Sequence, residues 1–309
     1  MCDLTNPIFQ NEDAARKHLE AIRWPDGAVC PFCDTQNHVK ALGGKSMGPG
    51  WYHCGSCRKK FTVRVGSVYE RSKIPLHKWV MATHLLCASK KGMSAHQLHR
   101  MLGITYKSAW FMVHRIRESM RDDDPQPLGG GGSVVEADET YFGRKAAARG
   151  KKNFKGPAAK MSVVALVERG GRSRAFHVDT YPHAGMVRDI LVQNVKRDSE
   201  LNTDESRLYT TVGEEYAGHY TVTHSEYQYV HPQTGAHSNS IEGYFGIFKR
   251  GMKGVYQHCA EKHLQSYLNE FDFRYNTRKI SDAERAELAL KGAAGKRLTY
   301  RRIGDGANV

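Results

Sequence analysis

Between Pro75 and Met120 the apolar side chains recur at three- and four-residue intervals. Trp79, Met81, Ala82, Leu85 and Leu86 mark one helix, Leu98, Met101 and Leu102 a short second one, and Ala109, Trp110, Val113 and Ile116 a third. Ser94 and Thr105 stand where the second and third helices need N-caps, and Gly103 stands where the second must stop. Beyond residue 133 the period drops to two. SVVEADETYFG (133–143) reads as a strand with Glu136, Asp138 and Thr140 on one side and Ala137 and Glu139 on the other. MSVVALVERGGRSRAFHVDTY reads as two strands joined at Gly170–Gly171, and HAGMVRDILVQNVK as an amphipathic helix. ELNTDESRLY is a short strand with Asp204 near its end, and GHYTVTHSEYQYV is a strand followed by a loop. Two aromatic-rich helices, HSNSIEGYFGIFKRG (237–251) and AEKHLQSYLNEFDFRYN, close the unit. Strands, helix, strand, helix in this order predict an α/β fold of the ribonuclease-H-like type over residues 133–280.

Composition narrows the setting. No apolar run approaches the roughly 18–20 residues of a membrane span, and MCDLTNPIFQ is no secretory signal, so a cytoplasmic protein without a membrane partner is expected. The net charge of +14 is unevenly spread. Residues 30–121 hold sixteen Lys/Arg against three Asp/Glu, residues 122–248 fourteen against seventeen, and residues 249–302 thirteen against six. Segregation on this scale is the footprint of a polyanion, and points to nucleic acid.

Four of the seven cysteines form two C-x2-C pairs, Cys30/Cys33 and Cys54/Cys57. Two thiolates two residues apart reach one ion from a tight turn, and two such knuckles complete a tetrahedral sulfur shell, so residues 1–70 are expected to hold a structural Zn²⁺ ribbon. His38 and His53 are bystanders. The short Gly-containing turn between the second and third helices makes 71–121 a helix-turn-helix DNA-binding domain. Tyr106, Lys107 and Ser108 open its second helix and would face base edges. RDDDPQPLGGGGS supplies a flexible linker over 122–132. The segment 281–309 has a short helical piece, then KRLTYRR, and reads as a basic C-terminal tail. GRKAAARGKKNFKGP (143–157) has the Lys/Arg content of a DNA-contacting loop.

Most acidic residues near strand ends, among them Asp179, Asp189 and Asp198, are expected to be caps or surface charges. Asp138, Asp204 and Glu242 differ because each lies beside apolar strand or helix residues in a basic protein. A carboxylate held there needs a cation, and Mg²⁺ binds through a few carboxylates with water and phosphate oxygens. Three carboxylates could hold two ions roughly 4 Å apart, the arrangement that serves in-line phosphoryl transfer.

CPFC…CGSC, ADETYFG, NTDES and HSNSIEGYFGIFKRGMKGVYQH…HLQSYLNEFDFRYN together resemble the bacterial insertion-sequence transposases of the DDE type that carry an N-terminal zinc ribbon and an ISXO-like catalytic domain. The resemblance runs from about residue 10 to 280. It implies Asp138 and Asp204 as the first two catalytic carboxylates and two Mg²⁺ ions (or Mn²⁺) as cofactors. Glu242, with Lys249 seven positions later, matches the third position; Asn239, which shares its helix face, is the alternative. Lys249 and Arg250 would touch DNA phosphates. Tyr141 is expected to be structural or to contact DNA, not to act as a nucleophile. The implied partners are double-stranded DNA, both the terminal inverted repeats of an element and its target, and a second copy of the chain in a homodimer or higher oligomer. The chain would then work on the nucleoid. Two other functions share these motifs: a zinc-ribbon/helix-turn-helix regulator without catalysis, and a ribonuclease-H-like nuclease that cuts without joining.

Overall fold

A computed structural model describes residues 3–44, 47–148, 155–222, 230 and 235–299. The chain divides into two compact units, residues 1–121 with 279–309, and residues 122–278. No helix among the described residues is long and apolar enough to cross a membrane.

The first unit opens with α1 (Glu12–Arg23), capped by the Asn11 side chain. A three-stranded antiparallel sheet follows: β1 (Val39–Leu42), β2 (Trp51–Cys54) and β3 (Lys60–Phe61). Trp24, Tyr52 and Phe61 pack their rings against one another beneath it. Then come α2 (Leu76–Ala88), α3 (Ala95–Leu102) and α4 (Tyr106–Ser119). The hydroxyls of Ser94 and Thr105 accept from the first-turn amides of Gln97 and Ser108, and Gly103 ends α3 in the left-handed conformation, φ 60°. Leu98 and Leu102 are buried, whereas Met101, expected with them, is 50% exposed. Only the Leu98/Leu102 side of that apolar stripe is covered.

Residues 281–299 do not hang free as a tail. Their helix α9 (Asp282–Lys291, the last in chain order) starts with a capping box between Ser281 and Glu284 and lies against α2. Ala286, Ala289 and Leu290 are buried, and Arg285 Nη1 donates to the Cys87 carbonyl at 2.9 Å. Gly292 lets it sit close: a Cβ there would stand 2.2 Å from the Ser119 carbonyl oxygen. The basic stretch from 300 onward, and residues 149–154 of the Lys/Arg-rich loop, lie outside the described residues.

The second unit is a five-stranded sheet between two helical layers. Its strands are β4 (Val134–Phe142), β5 (Met161–Glu168), β6 (Ser173–Val178), β7 (Glu200–Asp204) and β8 (Gly218–Val222), in the order β6-β5-β4-β7-β8. The β4/β5 and β5/β6 pairs are antiparallel, and β4/β7 and β7/β8 are parallel. The parallel pairs need crossovers, which α5 (Ala184–Asn194) and the single turn α6 (Thr210–Gly213) provide. Those helices cover Val135, Ala137 and Leu201 on one face. On the other, α7 (Asn239–Gly251) and α8 (Leu264–Asn276) bury Phe142, Met161, Val163 and Ala165 under Tyr244, Phe245, Phe248 and Phe271. Covered on both sides, β5 is continuously apolar from Val163 to Val167.

The edge strand β6 is closed off by α8. Ser173 N, Ala175 N and His177 N donate to Asn276 Oδ1, Asp272 Oδ2 and Gln265 Oε1 at 2.7, 2.8 and 2.8 Å. Side chains on one helical face thereby stand in for a sixth strand, and the edge cannot recruit another chain.

The four glycines expected as a flexible joint are docked. Gly130 N donates to Ser199 Oγ at 2.8 Å and Gly131 N to Asp198 Oδ2 at 2.7 Å. All four have positive φ, and a Cβ on Gly129 would meet Ser199 Oγ at 2.2 Å. Glycine is needed here for close approach and left-handed backbone rather than for motion.

Candidate functional site

The two cysteine knuckles are built alike. Cys30 N donates to the Thr35 carbonyl at 3.0 Å, and Cys54 N to the Lys59 carbonyl at 3.0 Å. In each, the residue after the second cysteine is left-handed: Asp34 at φ 54° and Arg58 at φ 58°. The turns aim Cys30 Sγ at Cys57 Sγ and Cys33 Sγ at Cys54 Sγ, both 3.6 Å apart, with all four sulfurs within 4.8 Å of one another. A tetrahedron with Zn–S bonds of about 2.3 Å has edges of about 3.8 Å, so the four thiols fit Zn²⁺. Burial pushes the Cys30 thiol up to about 12, while hydrogen bonding with Thr35 holds the exposed Cys33 down to about 6. A cation at the centre makes all four thiolates.

The acid pair arises where two parallel strands part. The β4/β7 ladder runs Val134↔Glu200, Val135↔Leu201, Glu136↔Asn202 and stops there. Two residues on, Asp138 and Asp204 continue the same register on the α7 side of the sheet. Asp138 is half-buried. Its carboxyl is pushed up to about 8, first by burial, then by the charges of Asp204 and Glu139, with Lys249 pulling the other way. Such a group is largely protonated at neutral pH unless a cation compensates it. Glu139, on the opposite face, accepts from the Tyr209 hydroxyl at 2.9 Å.

Glu136 ties α7 to this strand. The helix has no side-chain cap of its own; instead Ile241 N donates to Glu136 Oε2 at 2.9 Å. Arg169 Nε donates to Glu136 Oε1 at 3.2 Å, and His237 Nδ1 stands 3.4 Å from the same oxygen. Arg169 and Asn202 both donate to the His237 carbonyl. Glu136 is 0% exposed, so a fully buried carboxylate near the positive end of the helix dipole fixes α7 one alternation step from Asp138. Glu136→Ala leaves Arg169 Nε and the Ile241 amide without their acceptor and is expected to cost about 3 kcal/mol. Chemical denaturation followed in the second unit checks this, and a midpoint equal to the parent's would show that the network carries no stability.

The other proposed residues separate. Asn239 and Glu242 share a face of α7 but both are exposed, and Ser238 Oγ donates to Glu242 Oε1 at 3.3 Å. The oxygens of Asp138, Asp204 and Glu242 do not form a group within 4.8 Å of one another; the described residues that do so are the four cysteines and His177, Asp179 and Glu261. Lys249 is half-buried with its ammonium 5.8 Å from the Phe245 ring centroid, and its charge reaches Asp138. Arg250 is exposed in the last turn. Tyr141 stacks on Tyr181 at 5.7 Å. On α4, Tyr106 is 43% exposed and stacks on His96 of α3 at 4.1 Å; Lys107 is exposed and Ser108 half-buried. Glu136, Arg169, His237, Asn202 and His96 were not singled out from sequence. For Glu136 a signal existed, since a carboxylate two residues from Asp138 in an apolar strand needs a partner; the partners themselves are distant in the chain.

Residues 127–276 match the ISXO2-like transposase domain, and residues 10–60 match the transposase zinc-ribbon domain. Both matches are to domains of insertion-sequence transposases. It is 26% identical over 301 residues to an uncharacterised protein in transposable element ISH50 of Halobacterium salinarum, covering 92% of this chain and 98% of that one. Among solved structures, the Mos1 transposase paired-end complex with left transposon end aligns at 10% identity over 70% of this chain and 80% of that one, with a TM-score of 0.21, too low to carry a structural comparison.

Proposed function

We propose that this chain is a DDE-type transposase that binds the terminal inverted repeats of a mobile element, cuts at the 3′ ends and joins them to target DNA. The observation that carries the reading is Asp138 facing Asp204 where β4 and β7 part, in a sheet whose strand order, antiparallel then parallel, is that of the ribonuclease-H-like fold. Asp138 and Asp204 would hold Mg²⁺, with Mn²⁺ as a substitute, and Glu242 or Asn239 on α7 would complete the set. When bound, divalent ions supply Lewis acidity to a phosphodiester and its attacking and leaving oxygens.

The chain's own residues then orient the DNA. Lys249 offers a positive charge beside Asp138, where a scissile phosphate would lie. Glu136 keeps α7 in register with β4. Water attacks phosphorus and the 3′ oxygen leaves; the freed 3′-hydroxyl attacks a target phosphodiester in the same way. No side chain needs to become covalently attached, consistent with a Tyr141 engaged in a ring stack. Joining two ends calls for at least two protomers. Incubating the full chain with DNA ending in the terminal repeats and a target plasmid, in Mg²⁺, should yield joined strands. Nicks without joining would favour a nuclease. Binding without either would favour a regulator, a reading that the separation of Glu242 from the acid pair keeps open.

The helix pair α3–α4 is proposed to read the repeats. Lys107→Ala should lower affinity for the repeat roughly tenfold more than for unrelated DNA, since one good base contact discriminates by about 1–3 kcal/mol. Equal losses on both, measured by titration at several salt concentrations, would make Lys107 a phosphate contact instead.

A further inference from the structure

Beyond the acid pair lies a second set of metal-ligand side chains, at the far end of the edge strand. His177 is near the end of β6, Asp179 is on the bend that follows, and Glu261 opens the turn leading into α8. One ligand atom from each lies within 4.8 Å of the others. His177 Nδ1 is 3.6 Å from Asp179 Oδ1, and His177 Nε2 is 3.9 Å from Glu261 Oε1. Both separations exceed a hydrogen bond. The His177 side chain is only 10% exposed, and its Nε2 is buried with no hydrogen-bond partner. A buried ring nitrogen without a partner is costly; Nε2 faces Glu261 across a gap too long for a hydrogen bond, with Asp179 on the Nδ1 side of the ring.

We infer that His177, Asp179 and Glu261 form a second metal site, for a borderline divalent cation such as Zn²⁺, separate from the acid pair and from the ribbon. Ligands about 2.1 Å from a tetrahedral ion stand about 3.4 Å apart, so the His177 Nε2 to Glu261 spacing closes by about half an ångström. Asp179 is 91% exposed, and its side chain is free to swing from the Nδ1 side toward the ion. Its backbone is held in place, because Lys145 Nζ donates to the Asp179 carbonyl at 2.6 Å. One imidazole with two carboxylates suits a first-row transition ion better than Mg²⁺. The register Thr140↔Val163↔His177 sets the site two strands from β4, about 10 Å across the sheet, so the acid pair does not share these ligands. A bound ion would pin the end of β6 to the start of α8, where Gln265 already receives the His177 amide.

The test is zinc stoichiometry on the full chain. Wild type, Asp179→Asn and Glu261→Gln are loaded with excess Zn²⁺, desalted and counted by mass spectrometry; the ribbon and the acid pair are common to all three and cancel. The expected result is one equivalent fewer in each variant, with the Zn²⁺ dissociation constant for that equivalent raised at least about tenfold. Zn²⁺ should also raise the melting temperature of wild type more than that of Asp179→Asn, whose exposed substitution leaves the core untouched. Equal zinc counts in the three proteins overturn the site, and so does an equal thermal shift in wild type and Asp179→Asn. Such a result would leave His177 as an imidazole flanked by two carboxylates, and would say nothing against the transposase reading.

Discussion

Asp138→Asn should abolish strand cleavage, by about a thousandfold or more, while binding to terminal-repeat DNA stays within about twofold. The size follows from the role: a group that fixes charge at the reacting phosphate is worth roughly that much in rate. The retained binding follows from location, since Asp138 belongs to the second unit and the proposed reading helix α4 to the first. The same substitution has an opposite effect on stability. The Asp138 carboxyl is raised to about 8, from an ordinary value near 4. Its charged form is therefore disfavoured in the fold. Whatever it contributes is fully present below pH about 4 and is lost as pH rises toward about 8, in buffer free of divalent ions. Asn carries no charge to bury, so the variant should keep its melting temperature across that window where the parent declines. Mg²⁺ should restore the parent and leave the variant unmoved. Cleavage by Asp138→Asn at the parental rate would end the catalytic assignment; a flat parental stability profile would end the electrostatic account of the pair.

Stripping Zn²⁺, or Cys54→Ser, should unfold the ribbon. Cys54 is 0% exposed and its sulfur lies 3.6 Å from Cys33 Sγ. The three strands of that sheet have four, four and two residues, too few to hold by their own hydrogen bonds. The aromatic cluster of Trp24, Tyr52 and Phe61 adds a small core. Structural Zn²⁺ in comparable small domains supplies about 10–16 kcal/mol, more than a domain's whole net stability. Amide exchange at Trp51–Cys54 should accelerate to near the unprotected rate on chelation and recover on adding Zn²⁺. Protection that survives chelation would show that the sheet stands without the ion.

Local rules account for much of this molecule. The two knuckles, the caps at Ser94 and Thr105, the stop at Gly103 and the alternation along 134–142 depend on spacings of a few residues, and such spacings fix which way a side chain leaves its own element. That is why Asp138 could be paired with Glu136 and set apart from Glu139 before any fold was known. Met101 marks the limit of the same rule: periodicity nominates a face but does not say how much of it is covered.

What tertiary structure alone decided is which faces meet. Sequence could not indicate that Glu136 caps α7 across 105 positions of chain, that α9 returns to α2, or that the four glycines dock against Ser199 and Asp198 in place of swinging free. Nor could it indicate that Lys249 brings its charge to Asp138, or that His177 and Glu261 are neighbours. The period of a strand or helix is set by backbone geometry within one turn or one pleat. Pairing between distant elements is set by the sum of many weak packing terms over the whole unit, and no single residue announces that sum.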